Sequence, residues 1–336
     1  MKRQRQDIVA IRALAILLVM FGHSIILYSS SWNVYGTTQS APVLDAVKSV
    51  IDVLQMPLFF SISGFCLMFT MQSGHRIVFI RFVLDKVKRL LVPFLIVGIG
   101  WLVPIRLLLG YLGYENKPLP YVLIYDFLIG FDNGHLWFLP SLFLMFIVVG
   151  GLIEISALWN KYERLFEGML IAVAFGLYMT ALCVPAITFI PYMGNVCRYF
   201  IFFALGFVIH RYEDALHMHS RGSVLAGVLT LLCSCLIIQL TGITKNGIGA
   251  LVVGAAMVLA MYMVVPDRYI QISQPISKDS LGLYLFHSPL LYISFTFWPN
   301  ISPWLMVTIN FVGFGLCALL LTELIRFLRL GFVIGE

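Results

Sequence analysis

Arg12 and His23 lie eleven positions apart in an apolar stretch, RALAILLVMFGHS. On a helix, eleven steps of 100° make three turns plus roughly 20°, so both side chains share one face, roughly 16 Å apart along the axis. Ionisable side chains at membrane depth are costly and mark functional candidates. A guanidinium near one end can hold an anion. An imidazole deeper in, with its ordinary pKa near neutrality, can serve as a general base. The structural alternative is that Arg12 snorkels to lipid headgroups and His23 caps a polar helix contact.

Other groups could join this pair. The run DKVKRLLVPF places Lys86, Lys88 and Arg89 together, where they can grip the phosphates of a cytosolic cofactor or simply face anionic lipid. His135 stands in GHLWFLP and His287 in SLGLYLFHSPLL, and each also has a purely structural explanation. Ser63, Gly64 and Phe65, in PLFFSISGF, form a small-residue break that helix packing accounts for.

The elements that must position these groups are membrane helices. Of 336 residues, 60% are hydrophobic and 11% charged, against about 25% charged in soluble domains. The mean hydropathy of +0.95 agrees. Apolar runs near 8–28, 50–71, 90–110, 136–155, 168–186, 193–210, 222–240, 247–265, 281–298 and 304–325 predict an all-α bundle of about ten spans. The sixth is the weakest, being short, interrupted by Gly194 and carrying Arg198. With the inner edge near Ile8, His23 falls roughly 22 Å in, past the midplane.

Charge in the connections sets the orientation. Lys2, Arg3, Arg5, Arg76, Arg81, Lys86, Lys88, Arg89, Lys161, Arg164, Arg211, Arg221, Arg268, Lys278, Arg326 and Arg329 fall on one side. Lys48, Lys117 and Lys245 fall on the other, while Arg12, Arg106 and Arg198 sit within span ends. The asymmetry places both termini in the cytoplasm, which requires an even number of spans. The largest connection, about 111–135, is extracytoplasmic and carries Glu115, Asp126, Asp132 and His135. No connection is long enough for a second domain, so residues 1–336 are expected to form one unit. Ala250 and Gly254 predict a close helix contact.

Several classes are excluded. The net charge of +6 follows from the cytoplasmic loops, and no basic stripe with interleaved aromatics points to nucleic acid. Cys233 and Cys235 point to nearly opposite helix faces and cannot pinch a metal, and the six cysteines suggest no disulfide framework. The N-terminal MKRQRQ and its apolar run exceed a signal peptide in length and lack a small-x-small cleavage site, so they remain the first span.

Taken in order, RQRQDIVAIRALAILLVMFGHS, PLFFSISGF, the basic run before LLVPF, HLWFLP and SLGLYLFHSPLL resemble the membrane-bound acyltransferase-3 family, from Arg12 to about Leu291. That family O-acylates sugars and related acceptors. Its hallmark Arg and His, ten residues between them, match Arg12 and His23. Its two basic residues before the third span match Lys86 and Arg89. The family usually has Arg at both, and Lys86 keeps the charge but loses the bidentate fork. The stretch HLWFLPSLF has no acid after its Trp, which resembles members acting on surface polysaccharides or their lipid-linked precursors.

The resemblance implies transfer of an acyl group, most simply acetyl, from cytosolic acyl-CoA to a hydroxyl of an envelope glycan or its lipid-linked precursor. It implies an integral protein of the inner (plasma) membrane, with acyl-CoA as co-substrate and no permanently bound cofactor or metal. Arg12, Lys86 and Arg89 would hold the nucleotide end of the donor, and His23 would act as base on the acceptor. His135 and Trp137 are candidates for shaping the acceptor mouth. Tyr284 and His287 belong to the substrate side without an assigned step. The alternative is a transporter or flippase that uses the same charges as a pathway for a lipid-linked or anionic substrate.

Overall fold

The structure, a computed structural model, describes residues 5–30, 32, 34–71, 78–157, 162–243 and 247–336. Among the described residues there are ten long helices and no strand. They are α1 (Gln6–Ser24), α2 (Pro42–Met71), α3 (Phe79–Leu108), α4 (Gly134–Ala157), α5 (Tyr162–Cys183), α6 (Met193–Tyr212), α7 (Arg221–Thr241), α8 (Ile248–Val264), α9 (Ser280–Phe297) and α10 (Pro303–Phe327). Each coincides with one expected apolar stretch. Eight are long and apolar enough to cross a bilayer, and α8 is a shorter apolar helix. α9 is more polar because it carries His287 and Ser294, and both are buried inside the bundle.

The connections sort into two faces. Arg5 donates to Glu213 at 2.8–2.9 Å, and the Gln6 N–H donates to Asp267 at 2.9 Å. The start of α1 therefore meets the ends of α6 and α8. At the opposite face the Ser30 N–H donates to Asp45, and the Thr38 N–H to Asn300 in the α9–α10 turn. This alternation is what a chain threading up and down requires. Of the charges used for orientation, Lys2, Arg3, Arg76, Lys161 and Lys245 lie outside the described residues.

Two connections differ from expectation. The basic run before LLVPF is helical from Phe79 rather than part of a loop, because FIRFVLDK is amphipathic. Phe82 is buried and Phe79 packs on Gly150 of α4, while Arg81, Asp85 and Lys88 face outward. α3 also carries wide turns at Val87–Leu91 and Gly98–Leu102, near Pro93 and Pro104, which cannot donate to the preceding turn. The 111–135 connection contains a further helix, Leu119–Ile129, too short to span. Its Ile124 and Leu128 are exposed, and it ends at Gly130 with φ +98°, a left-handed stop that suits glycine.

The sixth span is the opposite of a weak element. α6 is buried against α2 with almost no side chain between them: a Cβ on Gly206 would collide with the Ser61 carbonyl, and one on Gly64 with the Phe203 carbonyl. Its low hydropathy reflects a helix surrounded by protein rather than lipid. Gly254 of α8 also faces α2, where a Cβ would stand 3.2 Å from the Val53 carbonyl.

Candidate functional site

α1 threads the middle of the bundle. Ile11, Ala15, Ile16 and Val19 are buried, so its polar exceptions Arg12 and His23 open onto internal space rather than lipid. His23 lies in the last turn. There Ser24 donates to the Met20 carbonyl at 2.7 Å, and Asn310 of α10 donates to the Ser24 carbonyl at 3.4 Å, holding the helix end.

The LYLFHSP segment of α9 brings the other two histidines to His23. His287 Nδ1 lies 2.7 Å from the Leu283 carbonyl and must donate to it. Its Nε2 is then an acceptor and lies 2.9 Å from His23 Nδ1. His23 Nδ1 is therefore the protonated nitrogen, and Nε2 keeps its lone pair. Pro289 has no N–H, which leaves the Leu285 carbonyl without its helical donor. His135 Nε2 occupies that carbonyl at 3.3 Å, and the Tyr284 hydroxyl donates to the His135 carbonyl. Among the described residues the buried His135 Nδ1 has no hydrogen-bond partner. The His23 and His287 rings stack at 5.1 Å, and His135 stands edge-on to both at 6.3 and 5.7 Å.

His135 thus stands in the first turn of α4, at the expected end of the fourth span, and is 7% exposed. His287 sits level with His23 because the chain enters the bundle before α9. A short helix, Ser273–Lys278, already packs beside α1, with Gln274 donating to Gln6 at 2.5 Å.

Two cavities open along α1. The inner one, about 660 Å³, is lined by Arg12, Lys86, Arg89, Ser63, Cys66 and Tyr284. The outer one, about 480 Å³, is lined by His23, His135, Trp137, Tyr199, Arg106 and Tyr292. Met56 lines both and stands between them. One face of α1 runs from Arg12 through Val19 in the inner cavity to His23 in the outer. The predicted path is therefore two chambers with a constriction.

The inner cavity is basic. Among the described residues, the hydrogen-bond contact of Arg12 Nη2 is Cys66 Sγ, at 3.5 Å. The Lys86 ammonium rests over the Phe146 ring, 4.1 Å from its centroid. Among the described residues, neither these two nor Arg89 forms an ion pair. The acid at this rim, Glu336, is held by Arg326 at 3.0 and 2.6 Å. Cations gathered on one cavity without ion pairs among the described residues suit a multiply charged anion.

The outer cavity is aromatic and polar. Trp137 stacks on Tyr199, with centroids 5.8 Å apart and planes 25° apart. Lys48 pairs with Asp52, which also accepts from Gln55 at 3.0 Å. Arg106, 1% exposed, donates to Tyr292 at 2.6 Å, Tyr114 at 3.1 Å and the Asp132 carboxylate at 3.0 Å. Burial pushes the Tyr111 and Tyr114 phenols upward, with Arg106 opposing, so both stay neutral beside the guanidinium.

The structure brings Arg12, Lys86, Arg89 and Tyr284 to one cavity, and His23, His135 and Trp137 to the other. Sequence reasoning passed over Arg106, Lys48 and Asp52. Arg106 was visible as an arginine near a span end, and Lys48 and Asp52 as an i,i+4 pair. They join the site because α2 begins at Pro42, eight residues earlier than expected, so the pair lies on the helix within the bundle.

No curated protein and no solved structure matches the chain. The acyltransferase domain that defines the acyltransferase-3 family matches residues 5–325, nearly the whole chain. This polytopic helical protein belongs to the acyltransferase-3 family and is a membrane acyltransferase.

Proposed function

We propose that the protein transfers an acyl group, most simply acetyl, from cytosolic acyl-CoA to a hydroxyl of a cell-envelope polysaccharide or its lipid-linked precursor, in the inner membrane. The observation that carries this is His23, tautomer-set by His287, in an aromatic outer cavity that shares Met56 with a basic inner one. CoA is an anion with a long arm ending in the thioester. Its phosphates suit Arg12, Lys86 and Arg89, and the arm points toward Met56. A glycan suits the outer cavity, where Trp137 and Tyr199 offer faces for a sugar ring and Asp52 and Arg106 border polar space. The donor acts as a co-substrate, and no resident cofactor enters the reaction.

His23 Nε2 takes the proton of the acceptor hydroxyl as its oxygen attacks the thioester carbonyl. The carbon–sulfur bond breaks, the ester forms, and the proton passes from His23 to the departing CoA thiolate. His287 accepts from His23 Nδ1 throughout and passes the polarity to the Leu283 carbonyl. This is the orienting role of the third member of a catalytic triad, filled by a neutral imidazole and a backbone dipole. His135 Nδ1, lacking a protein partner, can accept from a second acceptor hydroxyl.

His287→Phe removes the acceptor for His23 Nδ1 and frees the imidazole to turn. The expected result is a fall in kcat of roughly tenfold or more, with KM for acyl-CoA unchanged. A matching rise in KM would instead make His287 a donor contact. The reading as a whole is tested by incubating purified protein with labelled acetyl-CoA and envelope glycan. Free CoA should appear together with labelled glycan, whereas a transporter would release no CoA.

A further inference from the structure

A third chamber, about 190 Å³, opens between α2, α5, α6 and α8 at the end of the bundle that holds the outer cavity. Asp52 and Tyr199 line both spaces, so the two are neighbours across these side chains. Arg198 of α6 projects into the smaller chamber, and among the described residues it makes no hydrogen bond or ion pair. The other polar groups there are engaged. Tyr178 donates to the Gly247 carbonyl at 2.8 Å, Thr188 to the Pro185 carbonyl at 2.7 Å, and Asp52 is paired with Lys48. The chamber therefore holds one uncompensated positive charge. It is too small for several sugar residues and suited to one anionic group.

The surroundings indicate what carries that anion. Val184, Phe189 and Ile190, in the α5–α6 connection, and Ile248 and Val252, in the first turns of α8, neighbour the chamber-lining residues in sequence, and all are exposed apolar side chains. An apolar rim beside a lone cation suits an anion attached to a lipid, and the group joining a lipid to a polar head is a phosphate ester. We infer that Arg198 holds the phosphate of a lipid-linked acceptor whose glycan extends past Tyr199 and Asp52 into the outer cavity, so that acceptors enter sideways from the outer leaflet. The inference rests on the outer cavity being the glycan site. An ordinary phospholipid headgroup offers the same chemistry, and the experiment separates the two.

Purified protein in phosphatidylcholine nanodiscs is titrated with a polyprenyl phosphate, in wild type, Arg198→Gln and Arg198→Lys. The expected result is binding weakened about tenfold in Arg198→Gln and largely kept in Arg198→Lys. Polyprenol without phosphate should bind wild type as weakly, and phosphatidylglycerol at equal mole fraction should not compete. Competition by phosphatidylglycerol at equal strength makes Arg198 a general headgroup contact and overturns the inference. So does an unchanged affinity in Arg198→Gln. Acyl-CoA affinity in the same preparations should equal wild type, showing an intact fold. If Arg198→Gln fails to fold, phosphate against polyprenol in wild type still decides. A protein that binds polyprenyl phosphate through Arg198 yet never releases CoA keeps this site and refutes acyl transfer.

Discussion

His23→Ala is expected to lower acyl transfer by on the order of 10²–10⁴, the usual worth of a positioned general base. Two features make the loss fall on kcat. His23 lines the outer cavity, and the hydrogen bonds of His287 leave its Nε2 with the lone pair. On the proposed reading the donor phosphates lie at Arg12, roughly three turns away along α1, and at Lys86 and Arg89. KM for acyl-CoA should therefore hold, and so should the level of protein in the membrane. The measurement is initial-rate release of CoA with saturating donor and glycan, alongside quantified protein. Normal acylation of the glycan by His23→Ala would sink the mechanism. Loss of acyl-CoA affinity with unchanged kcat would move His23 to the donor site.

The second large effect is on donor affinity. Arg12→Gln combined with Arg89→Gln removes two of the four cations that line the inner cavity, the others being Lys86 and Lys278. A hydrogen bond to a charged group contributes about 1.5–3 kcal/mol, so losing two should weaken acyl-CoA binding about 100-fold or more. Folding should suffer little, because neither guanidinium is tied into an ion pair among the described residues. Lys86 should retain part of the affinity, held over Phe146 as a point charge rather than a fork. Calorimetric titration of detergent-purified protein with acetyl-CoA reads the change. Equal affinity in wild type and double variant would place the donor elsewhere and leave the inner cations as lipid contacts.

How much of this was legible in the chain follows from what each feature depends on. The ten helices could be read because bilayer thickness imposes a run length that composition alone satisfies, as in 136–155 and 222–240. The shared face of Arg12 and His23 could be read because it depends only on helical periodicity within one element. The small-residue crossing at Gly64 was legible as packing, although its partner Gly206 was not. Nothing local to Ser61 or Phe203 names the helix that approaches them.

Contacts between helices were beyond the sequence. His23, His135 and His287 lie on α1, α4 and α9, and their convergence depends on how three helices cross and where each begins. The depth of His287 was set by the short helix Ser273–Lys278, and that of Lys48 and Asp52 by the early start of α2. Tautomers are also tertiary: the free nitrogen of His23 is chosen by a carbonyl on another helix, two hydrogen bonds away.

By itself, then, the sequence determined a membrane bundle with one arginine and one histidine on a common face, because hydrophobic length and helical period are local properties. Only the tertiary structure decided that the path between them is two cavities parted by Met56, with His23 oriented by its partner on α9. The physical reason is that cavities and hydrogen-bond chains exist only between elements, where packing rather than composition determines which side chains meet.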